Sequence, residues 1–362
     1  TALQQSGLCT RRHREGDVPI AVLPSLVRLS LREAFSSARP AEAKALHRRL
    51  ARWYRDLDHH RQTAEGRPTP APRRMTMFEN AVAGQDWPLV AELYEEFGAA
   101  LSLRYGQRMR EALASSPEEV LTSYPRLRAA LAAAHVRAAQ EAGDNWIGAA
   151  REYFRTCSEI IANAQADLSA PDLLEIGAGH LIGLRATGRL SEAIVFGSDI
   201  ETRIAGIDPS SRVSPDRMSW FLNHLGTAHL LSGNSIDASQ RYQQIWSYRA
   251  EAEADYIVRN AAMNLAMIHA LQGNFDRTQE WLERGQLYDG DQTPVGSVSK
   301  TAEQVAASLL TLDRLDCDAA HDQLWLESEE QSAQEFWPFV TYVRAQHGLH
   351  FATAVSTLTR LD

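Results

Sequence analysis

"LSGNSIDASQRYQQI", residues 231–245, closes one stretch of helical spacing, turns on Gly233 and opens another; "LQGNFDRTQEWLERG", residues 271–285, does the same 40 residues later. Reading outward, the frame recurs in "ATGRLSEAIVFGSDI" from Ala186, "EAGDNWIGAAREYFRT" from Glu141, "VAGQDWPLVAELYEEF" from Val82 and "QHGLHFATAVSTLTRL" from Gln346. Each unit reads as a helix end, a glycine, a short polar turn and a new amphipathic helix. Gly188, Gly233 and Gly273 lie 45 and 40 residues apart, and five residues after each stands a small side chain, Ala193, Ala238 or Thr278. Gly226 and Ala266 stand seven before two of them. Glycine at a helix end supplies the left-handed conformation that stops it, and small residues on facing helices let the pair pack closely. A weaker unit, "TLDRLDCDAAHDQL" from Thr311, has Ala319 as its small residue but lacks the glycine.

The series resembles a degenerate tetratricopeptide array with a period longer than usual. That resemblance implies an all-α fold, in which stacked pairs form a superhelix with a concave wall. One stretch resists this at first sight. "DLLEIGAGHLIG", residues 172–183, looks like the glycine-rich loop of a methyltransferase. Such a loop follows a buried strand. Here Ser169 is placed to cap a helix, Pro171 falls in its first turn, and Leu181 stands where a third alternate glycine is due. The expectation is a helix with glycines at close approaches, and an enzyme binding S-adenosylmethionine there is the least favoured reading.

The chain has 362 residues, 44% of them hydrophobic, enough for a large core. It has neither a long uninterrupted apolar run nor a basic-then-apolar leader, so no membrane contact and a cytoplasmic location are expected. It opens on Thr1, and a piece of a longer protein is the expectation. Cys9, Cys157 and Cys317 are too scattered for a disulfide framework or a CxxC site and read as buried thiols. A net charge of −9 argues against direct nucleic-acid binding, although the first 75 residues hold a basic cluster running from Arg11 to Arg74. That asymmetry fits solvated helix faces, a partner surface or pairing within a homo-oligomer.

No phosphate-binding loop, HExxH or GxSxG motif appears, and no catalytic residue or metal ligand is assigned. Glu118 and Glu119 read as a solvated helix start after Pro117. His59 and His60 adjoin "RQTAEGRPTPAPRR", residues 61–74, which reads as a flexible loop. His229 and His269 each stand four before a turn glycine and read as residues packed between helices.

The first residues suggest a helix ending at Gly7, a hairpin around Glu15, Gly16 and Asp17, an apolar strand over residues 20–23, and a helix from near Pro24. This order matches the tail of a winged-helix module over residues 1–36, read as a structural bridge. After it come "AEAKALHRRLARWYRDL", the unit from Val82 and the long repeat region, 37–362. In that order the chain resembles the large ATP-binding regulators of the LuxR family, the MalT-like proteins, most clearly over residues 22–105. The resemblance implies an upstream ATPase, a downstream DNA-binding helix-turn-helix, and a superhelix that senses an inducer or an inhibitory protein. ATP and DNA are therefore implied only for parts outside these residues, and no cofactor is expected here.

First-helix residues three and four apart would line the concave wall: Trp220, Asn223, His224 and Thr227 in one unit, Arg259, Asn260, Met263 and Asn264 in the next. An aromatic ring with amide and imidazole groups suits a polar small molecule or an extended peptide; ordinary polar helix positions, with Trp220 at a repeat boundary, are the alternative. Two functions follow. One is the effector-sensing domain of a bacterial LuxR-type regulator, with a small molecule or protein as effector. The other is a stand-alone tetratricopeptide-like interaction scaffold.

Overall fold

The computed structural model describes residues 10–12, 20–22, 25–65, 70–142, 146–164, 168–206, 213–252, 255–288, 294–314 and 335–350. Two compact units emerge, residues 1–101 with 108–120, and residues 102–107 with 121–362.

In the first unit, β1 (Thr10–Arg12) pairs antiparallel with β2 (Ile20–Val22), Arg11 opposite Ala21. The expected hairpin tip at Glu15 to Asp17 and the helix end at Gly7 lie outside the described residues. Apart from this hairpin, the regular structure of the described residues is helical. Helices α1 (Ser25–Ala38), α2 (Pro40–Glu65) and α3 (Ala71–Ala83) follow, then α4 (Trp87–Arg104) and α5 (Gly106–Leu113). Helix α1 runs across the boundary expected at residues 36 and 37.

The flexible loop expected over residues 61–74 is largely helix. Helix α2 continues to Glu65, and α3 starts directly after Pro70, with a proline in its first turn. A first-turn proline loses no hydrogen bond, because its missing N–H has no partner inside the helix. Residues 66–69 are outside the described set.

The turn after α3 departs from the glycine pattern. Gly84 has an ordinary helical φ of −76°, and Gln85 takes the positive value, 54°. Three residues separate the helices, as at the later glycine turns, and the second of them is again left-handed; here that residue is Gln85, with the glycine one position earlier. Gly84 is needed for another reason: a Cβ there would stand 2.8 Å from the backbone nitrogen of Arg48 on α2.

The second unit contains the latter half of α6 (Glu118–Ser123) and then α7 (Pro125–Ala142), α8 (Trp146–Ala164), α9 (Ala170–Ala186) and α10 (Leu190–Ala205). Next come α11 (Pro215–Leu231), α12 (Ser235–Ser247), α13 (Asp255–Leu271), α14 (Phe275–Gln286), α15 (Pro294–Asp313) and α16 (Trp337–His350). Consecutive helices pair as α7 with α8, α9 with α10, α11 with α12, and α13 with α14. Each later pair also packs its first helix on both members of the preceding pair, and α15 packs on α13 and α14 in the same way. This is a helical-repeat architecture.

Three turns close alike. Gly188, Gly233 and Gly273 have φ of +73°, +84° and +73°. After the glycine, Asn234 N–H donates to the His229 carbonyl at 2.9 Å and Asn274 N–H to that of His269 at 2.8 Å. That bond ties off a carbonyl the helix end leaves open. Asn234 and Asn274 then cap the next helix through their side chains, which accept from the N–H of Asp237 and Arg277. Ala193, Ala238 and Thr278 are fully buried, as close packing requires.

One expected turn differs. Helix α16 runs through Gly348 to His350, so the chain does not turn there. The glycine of the unit from Glu141 and Ala319 of the unit from Thr311 lie outside the described residues.

Residues 172–183 are helical throughout. Ser169 Oγ accepts from the Asp172 N–H at the start of α9, with a proline in the first turn. The glycines mark close approaches: a Cβ on Gly179 would stand 2.5 Å from Cys157 Sγ, and one on Gly183 2.8 Å from Phe154 Cβ. Cys157 is buried, and burial pushes its thiol up to about 12. Cys9 and Cys317 are outside the described residues. No helix among those residues is long and apolar enough to cross a membrane.

Candidate functional site

Helix α11 opens on Ser214, whose Oγ accepts from the Arg217 N–H, and it is flanked by α9, α10, α12 and α13. So enclosed, it carries inward not only Phe221, Leu222 and Leu225 but also Asn223, His224, Thr227 and His229. Burying polar groups costs stability unless each finds a partner, and the partners show how the site is organised.

Three amides form a chain. Asn260 Nδ2 on α13 donates to Asn223 Oδ1 on α11 at 2.6 Å. One turn on, Asn264 Nδ2 donates to the Asn260 carbonyl at 2.8 Å and to its Oδ1 at 3.2 Å. Asn264 is 0% exposed, and its Oδ1 has no partner among the described residues.

Thr227 Oγ1 donates to the Asn223 carbonyl at 2.8 Å and lies 3.0 Å from Tyr242 Oη. With its one proton so used, Thr227 accepts from the tyrosine. Burial raises the Tyr242 hydroxyl well above its ordinary value, which keeps it a donor. Gly226 makes room for it, since a Cβ there would stand 3.2 Å from Tyr242 Cζ.

His224 meets a cation. Arg185, near the end of α9, donates through Nη1 to the His224 carbonyl at 3.0 Å and lies 3.1 Å from His224 Nδ1. Burial first, and Arg185 second, hold the imidazole far below its usual range, so it is neutral. Nδ1 then accepts, the proton sits on Nε2, and Nε2 has no partner among the described residues. Trp220 stands edge-on to the same ring at a centroid distance of 4.4 Å and is partly exposed.

The fourth participant is Glu335, just ahead of α16. Its Oε1 accepts from Arg185 Nε at 2.6 Å, across 150 residues of sequence. The Arg185 side chain is 3% exposed and that of Glu335 35%.

Of the eight residues expected on the wall, the structure brings Asn223, Asn260 and Asn264 together, and Trp220 and His224 together, with Thr227 bonded to Asn223. Two stand apart. Met263 packs in the core, with its Cε where a Cβ on Gly285 of α14 would be. Arg259 donates to the Tyr288 carbonyl at 3.2 Å and to Glu303 at 2.7 Å on α15. The eight are also less open than an exposed wall would require, because six of them are buried.

Sequence reasoning passed over Arg185, Tyr242 and Glu335. A signal existed for Arg185: it stands three before Gly188, where the other two units carry Leu230 and Ala270. A cation in an apolar register asks for a partner.

The chain matches no protein-family model and no curated protein.

Proposed function

We propose that the chain is the effector-sensing region of a bacterial transcription regulator of the LuxR type, with the effector read by the α11 and α13 faces of a tetratricopeptide-like superhelix. The hairpin and α1 fit the end of a winged-helix module that bridges to an ATPase part, and DNA contact belongs to a part beyond these residues. In this reading the chain works in the cytoplasm, binds and does not catalyse, and holds no cofactor of its own.

One observation carries the reading. Two buried polar groups meet on α11, Arg185 with His224 and Asn223 with Asn260 and Asn264, and among the described residues His224 Nε2 and Asn264 Oδ1 have no hydrogen-bond partner. An unsatisfied buried polar atom costs about 1–3 kcal/mol. A ligand supplying the missing acceptor and donor recovers that cost in the state that binds it, which is how an effector favours one arrangement over another.

The test is thermal unfolding of the purified chain against a library of soluble metabolites. The sensor reading expects one chemical class to raise Tm saturably. No response from any class would end it.

A second reading, an interaction scaffold for a protein partner, draws on α16, where Trp337, Tyr342 and Leu349 are exposed. Aromatic side chains on a surface are what interfaces recruit. Salt-sensitive capture of a defined partner, lost on Trp337→Ala and Leu349→Ala, would favour it.

A further inference from the structure

The guanidinium of Arg185 is held in two different ways. On one side it is fixed by α11: Nη1 is spent on the carbonyl and Nδ1 of His224, contacts that belong to the helix stack. On the other side its Nε meets only Glu335, a partly exposed carboxylate from the turn ahead of α16. A buried cation that loses its partner is strongly destabilised, so this position seeks an anion.

The remaining edge specifies which anion. With Nη1 engaged, Nε and Nη2 are left, two parallel N–H groups whose spacing matches the two oxygens of a carboxylate. Glu335 satisfies Nε alone. A doubly charged phosphate would bring one more negative charge into the site than Arg185 neutralises, and burying that surplus is costly. The partly exposed Trp220 ring beside His224 offers an apolar edge to the rest of a ligand.

We propose that the Nε–Nη2 edge of Arg185 is a binding site for a small carboxylate, and that Glu335 is its internal occupant, displaced when the ligand binds. The inference rests on the sensor reading and deepens it by giving the effector a chemical class. Displacement would free the segment ahead of α16 from α9, which couples occupancy of the site to α16. An internal competitor lowers apparent affinity by the fraction of time it vacates the site.

Acetate is the probe, because Glu335→Ala removes a fragment of that size. In Glu335→Ala, acetate at constant ionic strength should raise Tm saturably, by about 2–4 °C, where chloride does not. The wild type should need at least about tenfold more acetate for half the effect. The double variant Arg185→Leu/Glu335→Ala should show no saturable response. An equal response in the double variant, or none beyond chloride in Glu335→Ala, overturns the proposal. Should Glu335→Ala fold in neither salt, Glu335→Gln replaces it; its half-saturating acetate must fall below that of the wild type, and an unchanged value overturns the proposal. The two readings fail separately. A metabolite bound equally by wild type and Arg185→Leu keeps the sensor and ends this inference, whereas a library without any hit ends the sensor and leaves the acetate result standing.

Discussion

Asn260 Nδ2 donates to Asn223 Oδ1 at 2.6 Å, joining α11 to α13 through two buried amides 37 residues apart in sequence. The bond ties one helix to the other, and either amide without its partner would be a buried polar group left unpaired. Removing one partner should therefore cost more than removing both. Asn223→Leu and Asn260→Leu are each expected to lose about 1–3 kcal/mol by urea unfolding, and the double variant less than their sum. Additive losses would show that the two amides are not coupled.

Glycines within α9 should respond in opposite directions. Gly179→Ala drives a methyl to 2.5 Å from Cys157 Sγ and 2.6 Å from Tyr153 Oη, while at Gly177 the nearest atoms are 3.6 Å away. The first substitution is expected to lose about 1–3 kcal/mol from overpacking, and the second to gain up to about 1 kcal/mol from helix propensity. Equal effects in thermal unfolding would show that α8 does not approach α9 as closely as described.

At the turn after α3, Gln85 holds a φ of 54° that an L side chain adopts at a cost. Gln85→Gly is expected to stabilise the chain by about 0.5–1 kcal/mol even though it removes the exposed Lys44 bond to Gln85 Oε1. Gly233→Ala, at φ +84°, should destabilise by about 1–2 kcal/mol. Unfolding midpoints of the two variants on opposite sides of the wild type are the expected outcome.

His224 makes stability depend on pH. Its folded value is lowered by burial, so the unfolded chain binds the extra proton first. The stabilisation is complete above the unfolded value, about 6.5, and is lost as pH falls below it, by about 1.4 kcal/mol per unit until the folded value is reached. Unfolding free energy measured from pH 7.5 to 5.5 should decline less in His224→Gln than in the wild type. Identical slopes would exclude a buried, neutral His224.

Much of the fold was legible where one residue type is physically required. Gly188, Gly233 and Gly273 are at positive φ, and the small residues five positions on are buried. The turn after α3 was also legible as a turn, though its left-handed residue is Gln85 and not the glycine, and legibility failed at Gly348. Gly84 answers a close approach to Arg48 and Gly348 lies inside a helix, so neither is itself a left-handed residue. Proline misled in the same way: in residues 61–74 it starts α3, where a breaker signal suggested a loop. At the site, helical spacing found the three asparagines but also admitted Met263, because spacing alone does not tell which side of α13 faces α14. Glu335 carried no local signal, since its partner stands 150 residues earlier.

The central claim is that the polar chain across α11 and α13 reads an effector. Its most direct test is calorimetric titration of the stabilising metabolite into wild type and into Asn223→Leu/Asn260→Leu, with circular dichroism confirming that the variant is folded. The account predicts at least about a tenfold loss of affinity, equivalent to about 1.4 kcal/mol. Unchanged affinity in a folded double variant would contradict it.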